Sequence, residues 1–401
     1  MRGSPAGTKL PRVKLSARTA IDDTISPLAA ALEAVRETRA GALDLTVSNP
    51  TRVGLSYAAY GPLDSAARAD VAYAPEALGL RSARQAVAQH WPGAGARPDP
   101  DDVLLVASSS EAYSYLFTLL ADTGDEILAP EPSYPLLSHL ARYAGVRLVP
   151  YRLEYDGAWH IDLDSVRRAR GPRTRALVLI SPNNPTGSYT SQAELLALAE
   201  LGLPLVSDEV FARYDLQPER PKPLSALGAS GALTFSIDGL SKSAGLPHLK
   251  LSWIAVSGPP VDVRESMRRL AWQADTFLSV GTPVQLLLPH LLARSEAFRE
   301  TLHARLAGNL QRARAALAGS AATLLAAHGG WYAVVRLPDV ADEEEWVVAL
   351  ARAGVMTHPG HFYDFHDPAP YLVLSLLPPP EVFASGMLAI RREVDARSGA
   401  G

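Results

Sequence analysis

The sequence contains no cysteine. This absence excludes disulfide bonds, thiolate nucleophiles and cysteine-ligated metals, and it suits a reducing compartment such as the cytoplasm. No uninterrupted apolar run approaches the roughly 18 residues that a helix needs to cross a bilayer. The first residues of the chain are basic but lack the apolar segment of a secretory signal peptide. We therefore expect a cytoplasmic protein with no membrane partner.

The sequence also lacks a large excess of charge of either sign. Its 38 basic and 42 acidic side chains give a net charge of -4, which offers no broad electrostatic attraction to nucleic acid or anionic lipid. Clusters of cysteine and histidine are absent too, so nothing in the sequence indicates a metal site. With 401 residues, 47% of them hydrophobic and 20% charged, the chain has the composition of a folded protein of two or three domains.

Short apolar runs alternate with helical patterns from about residue 100 to residue 256. These runs are apolar on both faces, as in the strands of a parallel sheet that helices cover on each side. We therefore predict an α/β fold whose large domain contains a doubly wound, mostly parallel sheet. The predicted strands are VLLVA (103–107), EILAP (126–130), RLVPY (147–151), ALVLI (176–180), LPLVS (203–207), LTFSI (233–237) and SWIAVS (252–257).

The pattern changes after residue 285 to that of a long amphipathic helix. Apolar residues recur at helical spacing from Phe298 to Leu317, with arginines among the intervening positions. Two strand-like runs, WYAVVRL (331–337) and YLVLSLL (371–377), follow this helix and predict a smaller α+β domain. The predicted parts of the chain are an N-terminal segment packing with the small domain (1–52), a large α/β domain (53–285) and a small C-terminal domain (286–401).

Three polar motifs each follow a predicted strand of the large domain. They are SPNNPTG (181–187), SDEV (207–210) and SIDGLSKSAGLPHLKLSW (236–253). Because ligands bind beyond the carboxyl ends of strands in an open α/β sheet, the three motifs are expected to meet at one crevice. Each motif alone has a structural interpretation: a tight turn around Asn184, a helix cap at Asp208, and a surface lysine at Lys242. The functional interpretation therefore depends on their occurring together.

In their order and spacing, these motifs resemble the signatures of the class I/II aminotransferases, the pyridoxal-phosphate enzymes of the aspartate aminotransferase fold. NPTG, DE and SK occur in sequence, and the cation Lys250 follows Lys242 by eight positions. The resemblance extends from about residue 45 to residue 377. It implies fold type I, the cofactor pyridoxal 5'-phosphate (PLP) and transfer of an amino group from an amine or amino acid to a keto acid.

The resemblance assigns a role to each motif. Lys242 matches the lysine that forms a Schiff base with the cofactor and moves the proton, and a partly desolvated amine suits that task. Asp208 matches the carboxylate that pairs with the ring nitrogen of the cofactor, and Asn184 matches the asparagine that binds the ring hydroxyl. Lys250 takes the place of a phosphate-binding arginine.

Other expected cofactor-binding residues come from the strand-to-helix turn and two tyrosines. Ser109 and Ser110 match the helix N-terminus whose backbone amides hold the phosphate, and Tyr134 matches the aromatic residue that stacks on the ring. Tyr73 resembles the tyrosine that reaches the phosphate of a neighbouring subunit, which implies a homodimer with shared active sites. A core aromatic at Tyr134, a cap at Ser110 and a packed loop residue at Tyr73 are the structural alternatives.

The sequence departs from the family pattern at several positions. Phe211 replaces a tyrosine that binds the ring hydroxyl, Gly239 replaces a phosphate-binding serine, and a lysine replaces the arginine at position 250. The largest departure is Val373, in the position of the arginine that clamps the substrate α-carboxylate. Either another cation takes its place or the substrate lacks a carboxylate at that position, so substrate recognition is expected to be atypical.

Two cations are candidates for the missing carboxylate contact, namely His361 in PGHFYDF (359–365) and Arg336 in WYAVVRL. A locally satisfied, structural histidine is an equal alternative for His361. Trp331 and Tyr332 are expected near the same pocket, one of them as a core residue.

The leading functional hypothesis is a PLP-dependent aminotransferase. Because the same fold also carries lyases, a PLP-dependent lyase is the first alternative. The departures from the pattern motivate a second alternative, a PLP-binding protein without turnover. A serine hydrolase is excluded on spacing, because an S-x-x-K motif would need a serine where Gly239 stands.

Overall fold

A computed structural model describes residues 16–19, 27–38, 41–61, 74–92, 97–217, 225–229 and 231–399. Its α-helices are α1 (Pro27–Thr38), α2 (Arg81–Gln89), α3 (Ser109–Leu120), α4 (Leu137–Ala144), α5 (Leu163–Ala169), α6 (Gln192–Ala199), α7 (Leu240–Ser243), α8 (Pro260–Phe277), α9 (Thr282–Leu317), α10 (Glu343–Arg352) and α11 (Pro380–Ser398). Within these ranges, no helix combines the length and the apolar character needed to cross a bilayer.

Local signals in the sequence explain where several helices begin. Asp342 caps α10, and its side chain forms a capping box with Glu345. Ser191 caps α6 in the same way with Glu194. The long helix predicted from Phe298 begins earlier than its amphipathic pattern indicates, because α9 includes the preceding apolar turns from Thr282 onward.

The strands are β1 (Leu43–Asp44), β2 (Val103–Val106), β3 (Glu126–Glu131), β4 (Arg147–Tyr155), β5 (Trp159–Ile161), β6 (Thr174–Ile180), β7 (Leu205–Asp208), β8 (Thr234–Gly239), β9 (Ser252–Ser257), β10 (Thr323–Leu324), β11 (Tyr332–Arg336), β12 (Val355–Met356), β13 (His358–Pro359) and β14 (Tyr371–Ser375). Within the described ranges, the large sheet has eight strands in the order β2-β9-β8-β7-β6-β3-β4-β5. Its central strands β8, β7, β6, β3 and β4 are parallel, whereas β9 is antiparallel to both neighbours and β5 is antiparallel to β4.

Both faces of the large sheet are buried, as the continuous apolar runs predict. Along β2, Leu104 and Val106 belong to the core on one face, where they pack with α3 and α8. Val103 and Leu105 belong to the core on the opposite face, which also contains apolar residues of α2 and α9. The predicted α/β architecture with a large, mostly parallel sheet is therefore confirmed.

A smaller sheet lies in the C-terminal third of the chain. Its order is β10-β11-β14-β13, with antiparallel pairs throughout the described strands. Val373 of β14 is fully buried and pairs with Val334 on β11 and His358 on β13. Strand β1 of the N-terminal segment pairs in parallel with β12. The domain boundaries at 52/53 and 285/286 stay predictions.

Candidate active site

The three polar motifs lie around one cavity of about 310 Å³. Asp208 is the last residue of β7, Lys242 lies in α7 directly after β8, and Asn184 follows β6. These strands are adjacent and parallel, so their carboxyl ends meet at one edge of the sheet. The cavity is lined by Ser48, Ser109, Tyr134, Leu136, Ile180, Asn184, Asp208, Val210, Phe211, Gly239, Ser241, Lys242, Ser252 and Tyr332.

Asp208 is a buried carboxylate with two hydrogen-bond partners. Its Oδ2 atom accepts a hydrogen bond of 2.9 Å from the Tyr113 hydroxyl, and its Oδ1 atom accepts one of 3.2 Å from the backbone N–H of Val210. Burial raises the pKa of Asp208 to about 6, although these bonds and the nearby Lys242 amine favour the ionised form. The carboxylate is therefore ready to pair with a cation.

The Lys242 amine lies between two aromatic rings. Its Nζ atom is 4.9 Å from the ring centre of Trp331 and 5.7 Å from that of Phe211. Burial lowers the pKa of Lys242 to about 8, even though the Asp208 carboxylate acts in the opposite direction. An amine with this pKa is uncharged in a substantial fraction near neutral pH and can act as a nucleophile or a base.

Hydrogen bonds from distant tyrosines fix the backbone around the lysine. The Tyr214 hydroxyl donates to the carbonyl oxygen of Lys242 at 2.6 Å. The Tyr60 hydroxyl, which lies 184 positions earlier in the chain, donates to the carbonyl oxygen of Ala244 at 2.7 Å. The position of the amine therefore depends on contacts from well outside its own motif.

Asn184 points a polar group into the cavity without an internal partner. Its buried Oδ1 atom has no hydrogen-bond partner among the described residues. The neighbouring Asn183 fixes the turn instead, because its Oδ1 atom accepts from the hydroxyl of Thr186 at 3.0 Å. A buried polar group without a partner costs free energy, and the Asn184 amide is available to a ligand in the cavity.

The turn from β2 into α3 also contributes to the wall of the cavity. Ser108 caps α3 by accepting a hydrogen bond from the backbone of Glu111, and Ser109 follows as a residue that lines the cavity. The Ser110 hydroxyl is instead bonded to the hydroxyl of Tyr134, which also lines the cavity. The structure thus brings Ser109 and Tyr134 to the cavity directly and Ser110 next to it.

Other residues predicted for the site do not line this cavity. Lys250 is exposed and has a left-handed backbone conformation with φ of 50°. The imidazole of His361 is bonded to Glu343 at 2.7 Å and is 47% exposed. The ring of His361 thus has a local partner, as its structural alternative holds, and it does not line this cavity. Tyr73 lies outside the described residues.

Arg336 and Trp331, two further candidates, lie in different positions relative to the cavity. Arg336 lines a neighbouring cavity together with His366 and Asp367, so it does not reach the one around Lys242. Trp331 is fully buried and contacts the Lys242 amine with its ring face, while the next residue, Tyr332, lines the cavity itself. Trp331 thus packs behind the lysine rather than on the cavity wall.

Several residues of the site were not identified from sequence. Tyr113 contacts Asp208 from the core-facing side of α3, and its i, i+4 spacing with Phe117 indicates only a buried helix face. Ser48 lines the cavity from a segment without a recognisable polar motif, whereas Ser252 lies within the third motif, in which only the two lysines were assigned roles. Contacts between elements distant in sequence leave no local pattern that would single out either serine.

The fold is that of the PLP-dependent transferases of fold type I. A solved structure of the alanine aminotransferase from Pyrococcus furiosus superimposes with a TM-score of 0.84 at 22% identity, covering 96% of this chain and 100% of that one. The family model "Aminotransferase class I and II" matches residues 62–369. The chain therefore belongs to the class I and II aminotransferase family, whose members use PLP.

Curated relatives match the chain over part of its length. Nicotianamine aminotransferase B of Hordeum vulgare is 33% identical over 234 residues, which are 55% of this chain and 42% of that protein. Glutamate-pyruvate aminotransferase AlaA of Escherichia coli K12 is 29% identical over 230 residues, 56% of each. The chain thus spans about half the length of the curated relatives it matches.

The residues around the cavity fit PLP. The unpartnered Asn184 amide and the buried Asp208 carboxylate provide a hydrogen-bonding group and an anion for a protonated heterocycle. Lys242 supplies an amine with a lowered pKa for an aldehyde. The start of α3 at Ser109 provides backbone N–H groups of the kind that bind phosphate.

Proposed function

We propose that this protein is a PLP-dependent aminotransferase that moves an amino group from an amine or amino-acid donor to a keto acceptor. One observation carries the proposal: the Lys242 amine, the Asp208 carboxylate and the unpartnered Asn184 amide lie on the walls of one cavity. When bound, PLP withdraws electrons from the carbon that bears the amino group, so that a C–H bond there can break.

The three residues have distinct roles in this proposal. Lys242 would hold the cofactor covalently through its aldehyde carbon. Once freed by the donor amine, the Lys242 amine would take the proton from the donor carbon and deliver it to the cofactor carbon that had carried the aldehyde, a task that suits a pKa of about 8. Asp208 holds a proton on the ring nitrogen, and Asn184 orients the ring by binding its hydroxyl group.

The remaining proposed cofactor contacts are with the face of the ring and with the phosphate. Tyr134 stacks on the ring, and Ser109 with the adjacent backbone of α3 holds the phosphate, with Ser110 fixing the Tyr134 hydroxyl. The resemblance places Lys250 and the Tyr73 of a second subunit near the phosphate. We therefore propose a homodimer with shared active sites.

Substrate recognition is proposed to be atypical. Val373 is buried in the small sheet where the family has its carboxylate-binding arginine. Among the described residues that line the cavity, Lys242 is the one cation, whereas Ser48 and Tyr332 offer hydroxyl groups. We propose that the described part of the chain provides no guanidinium for an α-carboxylate and that the donor is bound through neutral hydrogen bonds.

Covalent trapping tests the assignment of Lys242. The sequence has five lysines, at positions 9, 14, 222, 242 and 250. After loading with PLP and reduction with borohydride, peptide mass spectrometry is expected to find the pyridoxyl group on Lys242. The Lys242→Ala variant should lose the label and Lys250→Ala should keep it. Equal labelling of the Lys242→Ala protein would contradict the proposal.

A spectral screen with matched amines tests the reaction and the substrate. Each α-amino acid is paired with the amine and the amino alcohol that carry the same side chain but no carboxylate. Conversion of the bound cofactor to its amine form indicates transamination, release of a keto acid and ammonia indicates a lyase, and an unchanged spectrum with every amine indicates binding without turnover. We expect transamination, with the amine or amino alcohol at least as reactive as its amino acid.

A further inference from the structure

Gly239 and Ser252 face each other on adjacent antiparallel strands. Gly239 ends β8, Ser252 begins β9, and the two residues are paired in the register of the sheet. A Cβ atom on residue 239 would lie 2.7 Å from the Cβ of Ser252 and closer still to its hydroxyl oxygen. The side chain of Ser252 thus occupies the space that a side chain on residue 239 would need.

Glycine is required at position 239 by the close approach of Ser252 and not by the backbone conformation of residue 239 itself. Its φ of -179° and ψ of 163° are extended values that any residue adopts. The conformation itself therefore leaves position 239 open to serine. The close approach of Ser252 excludes a side chain there, through its own side chain and through its Cα atom, which would lie 2.9 Å from a Cβ on residue 239. The hydroxyl that position 239 lacks is present on the facing strand instead.

The order of strands places Ser252 at one end of the cavity. On one side it pairs with Val106 at the end of β2, which leads into the start of α3 at Ser109. On the other side it pairs with Gly239, three residues before Lys242. Asp208 lies one strand further along, on β7. Ser252 is therefore on the Ser109 side of Lys242, and the carboxylate is on the other side.

We propose that the Ser252 hydroxyl binds the phosphate group of the cofactor in place of a side chain at position 239. This inference rests on the proposed function. Ser252 is buried, with 2% of its surface exposed, and it lines the same cavity as Ser109 and Lys242. A hydroxyl at this point donates to a phosphate oxygen next to the backbone N–H groups of α3, and it adds no charge to the site.

The test compares binding of PLP and of pyridoxal, which lacks the phosphate, to the cofactor-free protein. Quenching of tryptophan fluorescence gives both dissociation constants without any turnover. Ser252→Ala is expected to weaken PLP binding about tenfold, as for the loss of a hydrogen bond to a charged group, and to leave pyridoxal binding within about twofold. Ser252→Cys, which keeps the side-chain shape but donates weakly, is expected to act in the same direction.

A further variant separates phosphate binding from packing. Ser236→Ala removes another buried serine hydroxyl of the large sheet, one that is bonded to Glu209 at 3.0 Å, and it should not change the preference for PLP over pyridoxal.

Two outcomes would overturn the inference. They are an unchanged PLP affinity in both Ser252→Ala and Ser252→Cys, or an equal loss of PLP and pyridoxal binding in these variants. Failure of the proposed function is distinguishable, because it is seen in the wild-type protein as a lack of borohydride-trapped cofactor on Lys242. If trapping succeeds and the Ser252 variants bind PLP normally, only this inference is wrong.

Discussion

The Tyr113 hydroxyl and the Asp208 carboxylate are joined by a 2.9 Å hydrogen bond inside the large-sheet core. Both side chains are buried, Tyr113 with no exposed surface and Asp208 with 6%. The bond favours the ionised carboxylate, while burial favours the neutral acid and raises the pKa of Asp208 to about 6. Tyr113 therefore helps to decide the pH at which the proposed ring-nitrogen partner is charged.

Tyr113→Phe should raise the pKa of Asp208 further. A hydrogen bond of this kind contributes about 1 kcal/mol, equivalent to somewhat less than one pKa unit. Spectrophotometric titration of PLP binding against pH should therefore show the loss of affinity on the acidic side displaced upward by up to about one unit. Affinity near pH 8, where Asp208 stays ionised, should change little.

Tyr151→Phe is the matched control for this variant. Tyr151 is also buried in the large domain, and its hydroxyl also donates a 2.9 Å bond, in this case to the carbonyl oxygen of Val178. Both variants should lose similar thermal stability, about 1 kcal/mol. If the acidic limb of the titration moves equally in both, Tyr113 has no specific effect on Asp208.

Asp208 is expected to destabilise the cofactor-free protein as the pH rises. Its folded pKa of about 6 exceeds the ordinary value of 3.8, so between these values the folded state holds a proton that the unfolded chain has lost. Stability therefore falls as the pH rises through this window and is level above it. Asp208→Asn should accordingly be more stable than wild type by up to about 3 kcal/mol near pH 8, with no gain from this source near pH 4.

Chemical denaturation of the cofactor-free proteins at several pH values measures this difference. Lys242 complicates the comparison, because its ammonium favours the Asp208 carboxylate. The same comparison in a Lys242→Met background removes that attraction, so the stabilisation by Asp208→Asn should be larger there. A stability difference that is independent of pH in both backgrounds would show that the Asp208 carboxylate titrates normally.

The sequence predicts the parts of this site that follow directly from strand ends. Asn184, Asp208 and Lys242 each come after a buried apolar run, and the meeting of parallel strand ends brings them together without any knowledge of side-chain contacts. The same logic places Ser109 at the start of α3, after β2. Local pattern and sheet topology are sufficient for these residues.

Residues joined across distant segments could not be predicted in this way. Tyr60 reaches the loop after Lys242 from 184 positions away, and Ser48 enters the cavity from the N-terminal segment. The Pro-Gly turn next to His361 does not reveal its partner, because Glu343 belongs to α10, 18 residues earlier. Such pairings depend on how elements pack, for which one sequence carries no periodic signal.

The Lys242 amine should react with aldehydes at a lower pH than an ordinary lysine. Burial lowers its pKa to about 8, so the uncharged fraction falls about tenfold for each pH unit below that value and is nearly complete above it. Stopped-flow absorbance of PLP attachment to the cofactor-free protein should therefore show a rate that rises up to about pH 8 and then levels off. Nα-acetyl-lysine, measured alongside, should continue to rise to about pH 10, and similar behaviour of the protein would contradict a desolvated amine.

His361→Ala should leave the half-reaction with the donor unchanged within about twofold. The imidazole is held by Glu343 outside the cavity, and Glu343 keeps its bonds to the backbone N–H groups of His361 and Tyr371 when the ring is removed. The cost in stability should be below about 1 kcal/mol, because the pair is partly exposed. Single-turnover absorbance measurements with matched amino acids and amines provide the rates.

Tyr332→Phe is the informative comparison, because Tyr332 lines the cavity and its hydroxyl is bonded to Ser48. Removing this hydroxyl should slow the half-reaction severalfold for donors with a hydrogen-bonding group, about what the loss of one neutral hydrogen bond costs, and spare those without one.

A different result for His361→Ala would contradict the expectation given above for that variant. If His361→Ala slows α-amino acids more than tenfold and spares the matched amines, then His361 reaches the carboxylate in the working enzyme, and Val373 has been compensated by an imidazolium after all.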